Sequence, residues 1–254
     1  MIDKFGENTV LKVKKMLETY SKYAYVILDS LATEYHIPNK PGNSVPPASE
    51  SWNTAEKGMF WGENELAYAW FRSFYTVPSE YDGKTLYLLP KTGAAEALFF
   101  INGRPSGLFD SNSEVCKPEE RLHLVQPLTL RAKAGEGFEI ALEAYGGRTL
   151  KGFAPMVEFS NDFYPLERRR RFEGIFIAEK NEVIGSFLLK LRTVVQLYEN
   201  LEDNNRVKWD AYNLLCDIFR IVPQIPEETD FEIWNSAVLE AERLLCGFIS
   251  DNSG

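Results

Sequence analysis

The sequence predicts an α+β protein made of three parts. Apolar residues recur at spacings of three and four from Asn8 to Tyr35 and again after Glu179, which is the period of an amphipathic helix. Between Trp52 and about Ala178 the period falls to two, and turn residues separate the short apolar runs, as expected of β-strands. Because no helix interrupts these strands, the pattern favours an antiparallel β-sandwich or jelly roll, preceded by a long helix and followed by a small α-helical bundle.

Residues 1–51 are predicted to form the long helix and a linker. Pro38 would end the helix, because proline lacks an amide N–H and disfavours helical geometry at the residue before it. Four prolines lie between positions 38 and 47, together with glycine and serine, which is the composition of a linker. The apolar stripe of the helix consists of Val10, Val13, Leu17, Tyr20, Ala24, Ile27 and Leu31.

Residues 52–179 are predicted to form the sandwich from eight short strands. The segment Tyr68–Val77 is rich in aromatic residues and apolar on both faces, so we expect it at the centre of a sheet. The segment Glu96–Ile101 runs into Asn102-Gly103, the dipeptide that best accepts the positive φ angles of a two-residue hairpin turn. The expected strands are residues 68–77, 84–89, 96–101, 122–124, 128–132, 138–145, 153–159 and 172–178.

Residues 180–254 are predicted to form the helical bundle. Two helices are expected over Glu182–Leu201 and Asn205–Val222, after which two prolines break the chain. The segment Thr229-Asp230-Phe231-Glu232 has the Ser/Thr-x-x-Glu form of a capping box, so a third helix would begin there and run to about Phe248. Short connections make such helices antiparallel neighbours.

Composition argues against several classes of protein. The 254 residues include 28 Lys and Arg against 37 Asp and Glu, a net charge of −9, which argues against nucleic-acid binding. No apolar run approaches the roughly 18–20 residues of a membrane span. The three cysteines are widely spaced, so neither a disulfide framework nor a structural zinc site is expected. Cys216 and Cys246 are predicted to be buried thiols, and we expect the protein in the reducing cytoplasm.

Catalytic motifs do not emerge from the sequence. The two histidines, His36 and His123, are far apart, and no zinc, nucleophile-elbow, Walker or dinucleotide motif is present. A pair of carboxylates for glycoside hydrolysis stays open, because the separation that matters is spatial. We therefore predict no catalytic, cofactor-binding or metal-binding residue in this chain, and no cofactor bound by it.

The aromatic residues of the predicted sandwich favour contact with carbohydrate. Sugars present apolar C–H faces that stack on Trp or Tyr, while Asn, Asp and Arg form hydrogen bonds with the hydroxyl groups. Two alternatives stay open, since Trp61 is also compatible with a place in the core, and Asp110 to Asn112 with a loop that bonds its own backbone. The candidate contacts are Trp61, Arg104, Asp110 and Asn112.

Several short motifs of the predicted sandwich occur together in a known enzyme family. They are Trp61-Gly62-Glu63, Tyr68-Ala-Trp-Phe-Arg72, Thr76-Val77-Pro78, Gly83-Lys84, Glu96-Ala97 and Ile101-Asn102-Gly103, with Phe172-Glu-Gly174 before the helices. In this combination they resemble the N-terminal β-domain of the glycoside hydrolase family 38 α-mannosidases. Sugar-binding domains of β-galactosidase-type hydrolases share a looser version. The resemblance covers nearly the whole chain and implies a sandwich like that of galactose-binding domains.

The same resemblance implies a non-catalytic role. In that family a later α/β domain carries a His-x-His-x-Asp segment that helps to bind zinc, and an aspartate nucleophile, and the present sequence has neither. The implied function is the N-terminal region of a zinc-dependent retaining α-mannosidase, inactive alone, which packs against the catalytic domain of the same enzyme and helps to shape its substrate entrance. Exposed apolar stripes would favour a homo-oligomer. The alternative is a free-standing carbohydrate-binding module.

Overall fold

The chain divides into two compact units. The computed structural model describes residues 4–38, 44–61, 67–94, 96–110, 125–146 and 171–252. One unit, the helical unit, comprises Met1–Val26 together with Lys180–Gly254, and the other, the β unit, comprises Ile27–Glu179. The expected division into residues 1–51, 52–179 and 180–254 stays a prediction, and the compact units separate residues 1–26 from residues 27–51.

The β unit is built from two antiparallel sheets. Its four-stranded sheet has the order β1-β10-β5-β8, and its six-stranded sheet has the order β3-β2-β4-β9-β6-β7. The strands are β1 Tyr25–Ser30, β2 Thr33–His36, β3 Asn53–Thr54, β4 Tyr68–Thr76, β5 Leu86–Lys91, β6 Glu96–Ile101, β7 Arg104–Asp110, β8 Gln126–Thr129, β9 Gly137–Tyr145 and β10 Gly174–Lys180.

The inner faces of the two sheets share one hydrophobic core. Alternate residues of each strand point inward, so that Phe71 of β4 and Ile140 of β9 meet Leu88 of β5 and Ile177 of β10 in a single buried cluster. This arrangement confirms an α+β protein with a β-sandwich. The finer classification as a jelly roll of the galactose-binding type stays a prediction.

Most predicted strands that fall on described residues are present. Strand β4 has neighbours on both sides, as its two apolar faces predicted, and β6 has the predicted bounds. Asn102 and Gly103 form the turn after β6 with φ angles of 49° and 75°. Strand β7 was not predicted, because its Pro and Gly residues disfavour a strand assignment. The expected strands 122–124 and 153–159 lie outside the described residues.

The first helix is shorter than predicted. Helix α1 is Lys4–Ser21, and the residues expected to continue it form β1 and β2 instead. Strand β2 pairs with the central strand β4, with Thr33 opposite Ser73 and His36 opposite Trp70. Sheet pairing prevails here because the run from Tyr25 to Leu28 is rich in β-branched and aromatic residues, and tertiary pairing outweighs a modest helical preference.

The helical unit combines α1 with three later helices around one core. These are α2 Glu182–Asn200, α3 Arg206–Ile221 and α4 Phe231–Asp251, and the core includes Val13, Phe187, Leu215 and Val238. The side chains of Asn181 and Asn205 cap α2 and α3 by accepting hydrogen bonds from first-turn amides.

The predicted cap of the last helix differs from the one observed. At α4 the cap is Asp230, which accepts from the amide of Glu232, and Thr229 instead donates from Oγ1 to the carbonyl of Ile225. The chain therefore enters α4 one residue later than the capping-box pattern indicates.

The cysteine prediction is wrong for the two cysteines that the structure describes. Cys246 is exposed and Cys216 is only partly buried. Both lie on helices whose buried stripes pass through other residues, Leu215 beside Cys216 and Leu245 beside Cys246. None of the helices in the described residues is both long enough and apolar enough to cross a membrane.

Candidate functional site

Of the residues predicted to contact sugar, Trp61 lies in the core. Trp61 is 1% exposed, its Nε1 donates to the carbonyl of Thr92 at 2.7 Å, and its ring meets the ring of Phe71 edge-on at 5.6 Å. Its aromatic faces are therefore part of the core between the sheets. Of the two alternatives for Trp61, the structure shows the core position.

The other three candidates lie on or after β7. Arg104 is exposed at the start of this strand, and Asp110 is at its end. The two positions are separated by about 20 Å, given about 3.3 Å per residue of strand. Asn112 and the side chain of Asp110 lie outside the described residues. Elsewhere in the β unit, aromatic and polar side chains lie together on one face of the six-stranded sheet.

The side chains of the six-stranded sheet that point away from the core shared with the other sheet form its outer face. Aromatic and polar residues of this face lie in rows that run across the strands. One row runs from Glu34 through Arg72 and Ala141 to Phe100. The adjacent rows are His36, Trp70, Glu143, Leu98 and Leu108 on one side, and Phe74 with Glu139 on the other.

Arg72 is the buried charge of this face. It is 8% exposed, and its Nη2 donates to Oε2 of Glu34 at 2.8 Å. Its guanidinium carbon lies 4.1 Å from the centre of the Trp52 ring and 5.3 Å from that of the Phe74 ring. Both distances fall within the range of cation–π attraction, so two rings and one carboxylate hold the guanidinium in place.

A proline-rich strap, residues 44–54, covers part of the outer face. Val45 and Trp52 of the strap pack against Trp70, Phe100 and Ala141, which form a second, small apolar cluster. A ring nitrogen of His36, Nδ1, is 3.0 Å from the carbonyl oxygen of Ser51, and Nε1 of Trp52 donates to the carbonyl of Pro47 at 3.2 Å. This cover explains why Trp70 is fully buried although it faces away from the main core.

Phe74 stays exposed beside the strap. It is 63% exposed, a large value for a phenylalanine in the central strand of a sheet. Arg72 precedes it on the same face, and Glu139 stands opposite it on β9. Two hydrogen bonds with Asn102 fix the backbone of Glu139. The side-chain Oδ1 of Asn102 accepts from the backbone amide of Glu139 at 2.8 Å, and the backbone amide of Asn102 donates to the Glu139 carbonyl at 2.8 Å. We name Phe74 with Glu34, Arg72, Glu139 and Asn102 the Phe74 platform.

Sequence reasoning missed this platform because it assigned both faces of β4 to the core. The signal was Arg72, since an arginine within an aromatic strand indicates a face that is not purely apolar. Asn102 was explained by turn geometry alone, and the positive φ angle at this residue confirms that explanation. Its side chain also fixes β9.

Burial raises the pKa of a tyrosine on the same face. The rings of Tyr68 and Tyr145 stack with centres 5.0 Å apart. Burial first, then Tyr145 and the charges of Glu143 and Glu96, raise the pKa of Tyr68 above its ordinary value. Within the described ranges, no three His, Cys, Asp or Glu side chains come together as ligands for a metal ion.

Solved structures resemble part of the chain in fold. A β-glucuronidase of glycoside hydrolase family 2 is 15% identical over 60% of this chain and 18% of its own, with a TM-score of 0.39. A β-glucuronidase from Bacteroides uniformis is 10% identical over 61% of this chain and 17% of its own, with a TM-score of 0.40. One from Ruminococcus gnavus, in complex with uronic deoxynojirimycin, is 11% identical over 63% and 29%, with a TM-score of 0.37.

These likenesses concern a limited part of each enzyme. The chain spans less than a third of the length of each of the three structures. No family model and no curated protein matches the chain. The neighbours are glycoside hydrolases, and what this chain shares with them is a partial likeness of fold.

The expectation of a family 38 α-mannosidase is wrong. The three structures named above are β-glucuronidases, and the first of them belongs to glycoside hydrolase family 2. The motifs that carried the resemblance are explained by the sandwich itself, since Trp61 fills the core and Asn102-Gly103 forms a turn with positive φ angles. Such requirements belong to a fold and do not specify an enzyme. The zinc site implied for another domain loses its support with the family.

Proposed function

We propose that the β unit binds carbohydrate through the Phe74 platform. The observation that carries this proposal is an aromatic ring, 63% exposed, held on a rigid central strand between two sets of polar groups. Glu34 and Arg72 lie on one side of the ring, and Glu139 and Asn102 on the other. Flat aromatic rings flanked by hydrogen-bonding groups suit a pyranose, which has an apolar face and a polar edge.

The geometry assigns a role to each group. The C–H face of a pyranose ring would stack on Phe74, which lies in a strand paired on both sides and so changes little on binding. The carboxylates of Glu34 and Glu139 would accept hydrogen bonds from hydroxyl groups, and Nδ2 of Asn102 would donate one. Arg72 is a positioning residue, because its bond to Glu34 fixes that carboxylate.

One ring and a few exposed hydrogen bonds imply weak binding. We expect a dissociation constant on the order of 1 mM for a single sugar, since each exposed contact contributes little after desolvation. Two further predictions concern partners. We expect a catalytic domain elsewhere in the same protein, and we expect the chain to associate into a homo-oligomer. A cytoplasmic location also stays a prediction.

The test is a titration of the full chain with neutral hexoses, followed by two-dimensional NMR of the backbone amides. Glucose, galactose and mannose at millimolar concentration should shift the amides of Phe74, Glu139 and Asn102, and Phe74→Ala should abolish the shifts. The matched control is Phe231→Ala, because Phe231 is also 63% exposed but lies in the helical unit.

Two results would overturn the proposal. The first is that none of the three sugars shifts these amides at 50–100 times the expected ~1 mM constant. The second is that Phe231→Ala weakens binding as much as Phe74→Ala does.

A further inference from the structure

We propose that the Phe74 platform selects sugars by charge, preferring a hexosamine with a free, protonated amine over the neutral hexose and disfavouring the uronate. This inference rests on the proposed function, because it names the class of ligand for the same site. It concerns the sign of the charge that the ligand carries at the edge of its ring.

The first argument is the inventory of charge on the outer face. Among the described residues at outer-face positions of the six strands, Arg72 is the one Lys or Arg side chain. Its charge is already matched by Glu34 at 2.8 Å. The carboxylate of Glu139 adds a further negative charge next to Phe74. At the described outer-face positions around Phe74, a ligand therefore meets an excess of negative charge.

The second argument is the position of Glu139. It stands directly opposite Phe74 in the antiparallel pair β4–β9, where facing Cβ atoms are about 5 Å apart. A pyranose stacked on Phe74 would therefore present an edge substituent to this carboxylate. Two hydrogen bonds between Asn102 and the Glu139 backbone hold that position, so the main chain that carries the carboxylate is fixed.

The third argument concerns the uronate. A carboxylate ligand is favoured where a cation can turn toward it, and arginine is the usual partner. Arg72 is 8% exposed and is held by Glu34, Trp52 and Phe74. Because its guanidinium is so little exposed, a ligand carboxylate has poor access to it, while the charge of Glu139 would repel the uronate. A protonated amine carries a positive charge, so Glu139 would attract it without any movement of Arg72.

The size of the effect follows from the exposure of the site. A partly exposed ion pair changes affinity by about two- to fivefold. We expect glucosamine to bind about two- to fivefold more tightly than glucose, and glucose more tightly than glucuronate by a similar factor. Raising the salt concentration should reduce both ratios, because exposed charges are screened.

The experiment is a matched NMR titration with the gluco series (glucosamine, glucose, glucuronate) and the galacto series (galactosamine, galactose, galacturonate). The wild-type chain should rank amine above neutral sugar above uronate in at least one series. Glu139→Gln should bring the three affinities together. The control Glu202→Gln removes the same charge from an exposed position of the helical unit and should keep the ranking.

The outcomes separate this inference from the proposed function. If the neutral sugars bind and Phe74→Ala abolishes that binding, the proposed function stands. The charge preference is then overturned by equal affinities across both series, by tighter binding of the uronate in either series, or by an unchanged ranking in Glu139→Gln. If no member of either series binds at Phe74, both proposals fail.

Discussion

The guanidinium carbon of Arg72 lies 4.1 Å from the centre of the Trp52 ring, although the two residues belong to different parts of the β unit. Arg72 is on the central strand β4, and Trp52 is on the proline-rich strap that covers the outer face. The contact joins the strap to the sheet at the same point where Arg72 pairs with Glu34. A buried charge with few partners is sensitive to the loss of any one of them.

Glu34→Ala should destabilise the β unit. Arg72 would lose its carboxylate partner while its side chain, 10% exposed, stays largely out of water. We expect a loss of about 1–3 kcal/mol in the free energy of unfolding, because a hydrogen bond to a charged group would be left unmade. Urea unfolding followed by near-ultraviolet circular dichroism would measure it. Glu50→Ala, an exposed change in the strap, is the control, and an equal loss in both variants would contradict this account.

Trp61→Phe should lower stability without affecting sugar binding. The indole of Trp61 is buried, and its Nε1 donates to the carbonyl of Thr92 at 2.7 Å. Phenylalanine would leave a small cavity and an unpaired buried carbonyl, with a loss of about 2–4 kcal/mol. Thermal unfolding measures the loss, and the titration with neutral hexoses tests the second part. A change in sugar affinity as large as that in Phe74→Ala would return Trp61 to the binding site.

Two substitutions at Asn102 should separate backbone strain from the side-chain hydrogen bond. Asn102 has a φ of 49°, and its Oδ1 accepts from the amide of Glu139. Both variants lose the side-chain hydrogen bond, but Asn102→Ala keeps a Cβ in the left-handed region, whereas Asn102→Gly removes it. We expect the alanine variant to be less stable than the glycine variant by about 1 kcal/mol. Equal stabilities in urea unfolding would show that strain at this turn is negligible.

The helical unit should lose stability in acid partly through Glu242. Its carboxylate accepts from Lys190 and from Oγ of Ser186, and these bonds, that of Lys190 first, lower the pKa of Glu242 below its ordinary value of 4.5. The unfolded chain therefore binds the proton more readily than the folded one. The stabilisation is present above the unfolded pKa and is lost as the pH falls through the folded pKa.

Glu242→Gln should remove that part of the pH dependence. The wild-type chain should gain about 1 kcal/mol in the free energy of unfolding between pH 3 and pH 6 from this group, and the variant should not. Glu202→Gln is the matched control, because it removes an exposed carboxylate from the same unit. A profile of Glu242→Gln that is parallel to the wild-type profile would contradict the assignment.

The sequence predicted those elements whose local signals agree with their tertiary surroundings. Strand β6 and its Asn102-Gly103 turn, and helices α2 and α3, were predicted close to their observed positions. In each of them the apolar period and the end signals point to the same structure. Local consistency of this kind makes an element predictable from sequence.

The residues that were mispredicted owe their structure to partners distant in the chain. Residues 25–36 form strands because β4 and β10 offer pairing partners, and no local pattern reports that. The same reasoning applies to the Phe74 platform. Exposure of Phe74 and burial of Trp70 on one face depend on where the strap crosses the sheet, and spacing alone does not reveal this.

The helical unit is discontinuous, and the amide of Asn181 donates to the carbonyl of Ala24 at 2.9 Å within it. The chain thus leaves this unit and returns to it at adjacent positions, which makes the β unit an insertion between α1 and α2. During translation, α1 emerges from the ribosome long before the helices that bury its apolar stripe. Until those helices are synthesised, the apolar stripe of α1 is exposed, and a chaperone or the ribosome surface can bind it. In the folded protein the stripe is buried and is no longer accessible.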